Sequence, residues 1–197
     1  MKQERRQNGR CNRVARPEKP DRLSEARDFS HGFFTYQSYL IYTRQKNLGL
    51  TNHELFSTTG NTPVVVNSSC NNGIGGYVDL PATEDGGIIT FSDTTDANSI
   101  FYQKENFIGY SHVQGMYPKF DNNSDEIIQY IMTVFKAKAL TKGYNYSNKF
   151  RRDDALKTKI LLPAKTINEP DWQFMENYIK ELTTKTSKNI NLLLKVS

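Results

Sequence analysis

Between Glu54 and Lys119 the chain is divided into short β-branched and aromatic runs separated by turn-forming clusters, and this spacing constrains the fold more than any other feature. The runs are Leu55-Phe56, Pro63 to Val66, Ile74 to Leu80, Gly87 to Phe91, Ser99 to Tyr102, Phe107 to Tyr110 and Val113 to Tyr117. Thr59-Gly60-Asn61, Gly73 to Gly76, Asp85-Gly86-Gly87 and Asp93 to Asn98 lie between them. Short strands at such regular intervals predict a strongly bent sheet or partial barrel. Within it, Asn71-Asn72-Gly73-Ile74-Gly75-Gly76-Tyr77-Val78-Asp79 turns and then becomes strand. Asn tolerates left-handed backbone and carries a donor and an acceptor, while Gly lets a ligand approach closely. An ordinary hairpin connection uses the same residues, so both roles stay open for the turn, with Asn71 and Asn72 as its contact candidates.

Outside this region the periodicity changes. Ser124 is placed to cap a helix whose first turn holds Asp125 and Glu126, whose buried face is Ile127, Ile128, Ile131, Val134 and Phe135, and which Gly143 ends. Lys159-Ile160-Leu161-Leu162-Pro163 predicts a closing strand. Pro170 is expected at the first position of a last helix, in which Trp172, Met175, Ile179 and Leu182 follow the 3-4-3 spacing of a coiled-coil seam. Continued in register, that seam meets Thr186, Asn189 and Leu193 and weakens. The aromatic cluster from Phe29 to Tyr42 has no distinct period, which leaves helix, strand and irregular packing open. The fold class expected is α+β, a bent sheet or partial barrel with packed helices. Residues 1–28 are a basic, polar leader, disordered or bound to a partner; residues 29–166 form the body; residues 167–197 form the C-terminal helix.

A chain of 197 residues with a formal charge of +5 and 12% aromatics suits a polyanionic partner. Its two cysteines, Cys11 and Cys70, suggest neither a disulfide framework nor a zinc knuckle, and His31, His53 and His112 have no ligand spacing, so no metal is expected. There is no phosphate loop, no G-x-S-x-G elbow, no E-x-K to complete a nuclease site, and no Asn-Pro-Pro-aromatic stretch. These gaps argue for a recognition module without catalytic residues or cofactors. No apolar run reaches the ~20 residues of a membrane span, and no apolar core follows the charged N-terminus, so a cytoplasmic location is the default expectation.

Two groups of residues remain for recognition. The strand-end tips carry Asn71, Asn72, Tyr110, His112 and Lys119, and the segment from Lys142 to Arg152 is the densest mixture of tyrosine, amide and positive charge. Lys119, Lys142, Lys149, Arg151 and Arg152 are suited to phosphates. Asn71, Asn72, Tyr110, His112, Tyr144 and Asn148 are suited to base edges or grooves. Against this stands simple packing for Tyr144, Tyr146 and Phe150, and solvation or bridging to Asp153 and Asp154 for the arginines. A protein- or carbohydrate-binding module built on the same aromatic loops is the competing class.

One ordered set of pieces is more specific. Ser68-Ser69 with Asn71 to Ile74 and Gly76-Tyr77-Val78, then Ile88-Ile89-Thr90, Phe101-Tyr102-Gln103, Phe107, Val113, Lys119, Tyr146, Lys149 to Arg152, Lys159 to Pro163, Glu169 to Trp172, Phe174 to Glu176 and Tyr178-Ile179 resembles the target recognition domain of restriction-modification specificity (S) subunits, of type I systems and their type IIB or IIG relatives. The resemblance runs from about Glu54 to the C-terminus. It implies a non-catalytic domain that binds one half of a split double-stranded DNA target. It further implies a helix, with Trp172, Met175, Ile179 and Leu182 as interface residues, that acts as spacer and dock for methyltransferase subunits, restriction subunits completing the system. Family members usually carry two such domains and two helices. With one of each, the chain is expected either to form a homodimer through its C-terminal helix or to be half of a larger polypeptide.

Overall fold

The computed structural model describes residues 31–35, 40–44, 49–145, 147–166 and 169–195, the first two stretches by backbone course alone. The leader, residues 1–28, lies outside the described residues. The aromatic stretch whose period is indistinct supplies two strands, β1 (His31–Thr35) and β2 (Leu40–Arg44), each pairing far along the chain. Leu55-Phe56, expected as strand, instead closes a one-turn helix, α1 (Asn52–Leu55). Here Thr51 Oγ1 accepts from the Glu54 amide at 3.3 Å and Glu54 Oε2 accepts from the Thr51 amide at 2.7 Å. This reciprocal cap satisfies free helix-end amides, and it overrides the strand preference of two apolar residues.

The remaining short runs form strands: β3 (Thr62–Val65), β4 (Ile74–Val78), β5 (Ile88–Ser92), β6 (Phe101–Gln103), β7 (Ile108–Gly109) and β8 (Val113–Pro118). They divide between two small sheets, of order β4-β3-β7 and β2-β8-β5-β6. A third sheet joins β1 to β9 (Lys159–Thr166) and β10 (Glu169–Pro170) in the order β1-β9-β10. The expected bent sheet is thus broken into partial sheets. Most neighbours are antiparallel, but β3 and β7 run parallel, with Val64 opposite Ile108 and Val65 opposite Gly109.

Helix α2 (Asp125–Leu140) lies over the sheets, and Ser124 Oγ accepts from the Ile127 amide at 3.4 Å. Ile127, Ile128, Ile131, Phe135 and Ala139 are buried against Ile89, Phe91, Met116, Ile160 and Leu162, making one continuous core. Each large apolar side chain among them contributes about 1.5–3 kcal/mol of burial. A short helix, α3 (Arg152–Lys157), precedes β9.

The last helix, α4 (Trp172–Leu193), begins later than expected. Pro170 is not its first residue: it sits in β10 opposite Ala164, and Asp171 is the cap, its Oδ1 accepting from the Phe174 amide at 3.0 Å. The Asp171 amide donates to the Pro163 carbonyl at 2.9 Å, which ties the helix start to β9. The first two turns of α4 pack on α2, where Tyr130 meets Tyr178 edge-on at 5.7 Å, and on the segment before it, where Trp172 stacks on Phe120 at 4.5 Å; Met175 is fully buried. From Lys180 onward every described residue is exposed. At 1.5 Å per residue the helix continues about 21 Å beyond the packed portion. Cys70, expected outside any disulfide, is disulfide-bonded; a count of two cysteines is compatible with either state, and Cys11 lies outside the described residues.

Candidate functional site

Strand register gathers several turns at one end of the body. The parallel strands β3 and β7 both finish there, and the Tyr110 amide donates to the Val65 carbonyl at 2.9 Å just beyond them. Strand β4 begins there, with Ile74 opposite Val65, and β5 ends there, with Ser92 opposite Val113 at the start of β8. The turn at Asn71–Gly73, the loop after Ser92 and the turn from Tyr110 to His112 therefore share one pole. Three non-glycine residues with left-handed backbone occur in these turns: Asn71 (φ 48°), Asn72 (φ 54°) and His112 (φ 67°). Such residues are uncommon and concentrate at functional positions.

The cationic segment reaches this pole through Phe150. Its ring is fully buried, edge-on to Phe91 at 5.1 Å and near Phe135 at 6.1 Å, and its amide donates to the Thr95 carbonyl at 2.9 Å. Asn145 Oδ1 accepts from the amides of Ser147 and Asn148, both at 2.9 Å, closing the turn upstream. Lys149, Arg151 and Arg152 then join Asp93, Thr94, His112 and Asp153 around one open recess of about 430 Å³. Four of the residues picked from sequence thus meet. Phe150 itself is the packing residue of the segment.

Lys142 and Tyr144 line a neighbouring recess of about 370 Å³ with Lys138, Asp154, Lys157, Thr158 and Lys159. Asp154 is its one carboxylate, and Asp154 Oδ2 already accepts from the Arg151 amide at 2.9 Å. Burial, with Asp154 alongside, pushes the Tyr144 phenol above its ordinary pKa, keeping it a neutral donor. The short helix α3 supplies residues to both recesses.

Other candidates sit differently. Asn71 Nδ2 donates to the Ile74 carbonyl at 3.1 Å, and Asn72 Nδ2 donates to the Tyr102 carbonyl at 2.9 Å and Gln103 Oε1 at 3.3 Å. Both amide groups thus brace the turn. Tyr110 is half-buried against Leu55, Val64, Val78 and Ile108. Asn148 is exposed beside the Phe150 segment. Lys119, also exposed, follows the far end of β8, separated from His112 by that six-residue strand, about 20 Å. Of the four helix residues proposed for a partner, Met175 lies in the core of the same chain, Trp172 packs against that core, Ile179 is buried, and Leu182 is 50% exposed.

Sequence reasoning did not pick Asp93, Gln114 or the lysines 138, 157 and 159. Asp93 Oδ1 lies 3.1 Å from His112 Nδ1, and Asp93 Oδ2 accepts from Gln114 Nε2 at 2.8 Å. Gln114 is buried within an apolar strand run, and that out-of-place amide was the available signal. Among the described residues no helix is long and apolar enough to cross a membrane.

A family model described as "Type I restriction modification DNA specificity domain" matches residues 41–192, and the chain belongs to that family. The specificity subunit S.BcgI of a type II restriction enzyme from Heyndrickxia coagulans is 31% identical over 105 residues, covering 53% of this chain and 29% of the relative. Among solved structures, the S subunit of a type I restriction-modification system from M. genitalium superposes with a TM-score of 0.53 at 13% identity, over 84% of this chain and 43% of that one. The HsdS subunit from Thermoanaerobacter tengcongensis gives 0.51 at 9% identity, over 87% and 41%. The likeness covers the mixed α/β fold of this chain, with its partial sheets and long C-terminal helix. The chain spans under a third of the curated relative and about two fifths of each solved chain.

Proposed function

We propose that this chain is the sequence-reading component of a restriction-modification system, a single target recognition domain that contacts one half-site of duplex DNA. The observation that carries the reading is the meeting of His112, Lys149, Arg151 and Arg152 in one recess at the strand-end pole. Arg and Lys there neutralise phosphates, with Lys142 and its neighbouring lysines extending the cationic track past α3, while His112 faces base edges. Residues 29–166 form the recognition body and residues 167–197 the spacer and docking arm. Methylation and cleavage come from partner subunits in the cytoplasm, and the domain itself performs no catalysis.

The docking arm rests on the exposed half of α4. Leu182, Ile190 and Leu193 share one side of the helix and are 50%, 50% and 72% exposed, an apolar stripe suited to a partner helix. That partner is a methyltransferase subunit or, in a homodimer, the same stripe of a second copy. Fluorescence anisotropy with a labelled mixed-sequence duplex at low salt tests the DNA reading: binding that weakens steeply with salt is expected. No binding at any salt concentration would overturn it and favour a protein- or carbohydrate-binding module.

A further inference from the structure

The recess at the strand-end pole contains one side chain whose hydrogen-bonding sense is fixed by its neighbours. His112 Nδ1 lies 3.1 Å from Asp93 Oδ1, and the Asp93 amide donates to the His112 carbonyl at 3.0 Å, so the two residues hold each other twice. Gln114 Nε2, itself buried, donates to Asp93 Oδ2 at 2.8 Å and fixes the carboxylate in turn. An ionised carboxylate only accepts, so in the neutral imidazole the Nδ1 position must carry the proton and Nε2 is left as an acceptor. The His112 side chain is 51% exposed and lines the recess with Lys149, Arg151, Arg152 and Asp153. Every neighbouring cation there is a donor, and Nε2 is the ring acceptor set among them.

We infer that His112 is a base-reading residue selecting an amino-bearing base, adenine N6 or cytosine N4, in the major groove, and that Asp93 and Gln114 are positioning residues that set its tautomer. The inference rests on the DNA-reading function proposed above and assigns its polarity at one position. Guanine and thymine present acceptors, O6 with N7 and O4, where adenine and cytosine present an amino group, so an acceptor on the protein separates the two classes. His112 has left-handed backbone (φ 67°) in the turn that precedes β8.

Asp93→Asn inverts the arrangement. The oxygen of the introduced amide keeps the Gln114 hydrogen bond, its NH2 group then faces His112 Nδ1, and the imidazole proton moves to Nε2, which becomes a donor. The test is binding selection from randomised duplexes at pH 8 with the wild-type chain, His112→Gly and Asp93→Asn, together with ¹⁵N-detected tautomer assignment of His112 in the free wild-type protein. His112→Gly keeps the positive φ without strain. Expected are an Nδ1-protonated His112, loss of roughly tenfold discrimination at one base pair in His112→Gly with the salt dependence unchanged, and a switch at that position toward guanine or thymine in Asp93→Asn. An Nε2-protonated His112 in the wild type, or a His112→Gly variant that selects the wild-type motif at every position, would overturn the inference while leaving DNA reading intact. A wild-type chain that binds duplex without selecting any motif would bring down both.

Discussion

The Phe150 amide donates to the Thr95 carbonyl at 2.9 Å, and this bond seats the cationic segment beside the loop that follows β5. Phe150 fills the space between Phe91 and Phe135, so its removal leaves a large cavity under the candidate site. Phe150→Ala is expected to cost about 3–5 kcal/mol in urea-induced unfolding. A loss below about 1 kcal/mol would mean that the segment is not anchored by this ring.

Thr95 offers the complementary test. Its hydroxyl is buried and has no hydrogen-bond partner among the described residues, whereas its backbone carbonyl serves Phe150. Thr95→Val keeps the shape and removes the unsatisfied group. It should leave stability unchanged or raise it by up to about 1 kcal/mol, measured by the same unfolding curve.

Much of this arrangement was legible in the sequence, and the limits have physical causes. The strand runs, the Ser124 cap and the cationic stretch from Lys142 to Arg152 announce themselves through local composition. The aromatic stretch that became β1 and β2 did not, because both strands are completed by β9 and β8, more than 60 residues away. Leu55-Phe56 was misplaced because the Thr51–Glu54 cap decides its conformation, and Pro170 because Asp171 takes the capping role. The union of His112 with Arg151 depends on the bond between Phe150 and Thr95, which no local pattern encodes.

Phosphate binding by the arginines has a quantitative signature. Arg151 is exposed, and the cap it gives α3 comes from its backbone amide, so Arg151→Ala should fold normally. The slope of log K against log salt should fall by about 0.9 for each phosphate that the guanidinium neutralises, and binding should weaken alike for all sequences. An unchanged slope would take Arg151 off the DNA face.

Acid stability should depend on Asp125. The Tyr102 hydroxyl donates to Asp125 Oδ1 at 2.7 Å, and Lys104 Nζ lies 3.3 Å from Asp125 Oδ2; the phenol first, then the lysine, hold the carboxyl below its ordinary pKa. A depressed folded-state value means that the unfolded chain binds the proton first as pH falls. The contribution is therefore complete above the usual aspartate range and disappears as pH drops through the depressed value. Tyr102→Phe should flatten the acid limb of a stability-against-pH curve, and an identical limb in the variant would refute the assignment.

The exposed end of α4 should be dispensable for folding and necessary for assembly. Leu182→Asp combined with Ile190→Asp alters side chains that are each half exposed. Unfolding free energy should change by no more than about 0.5 kcal/mol per site, as for other surface substitutions. Sedimentation should show loss of self-association or of methyltransferase-subunit capture. Retention of both would remove this stripe as the dock.

The central claim, that the strand-end pole reads DNA sequence, is tested most directly by selecting bound duplexes from a randomised pool, with and without a methyltransferase subunit. Enrichment of one short fixed motif, abolished when Lys149, Arg151 and Arg152 are replaced together by Ala, is the predicted result. Recovery of a pool still random after repeated rounds, or of the same motif by the triple variant at undiminished affinity, would contradict it.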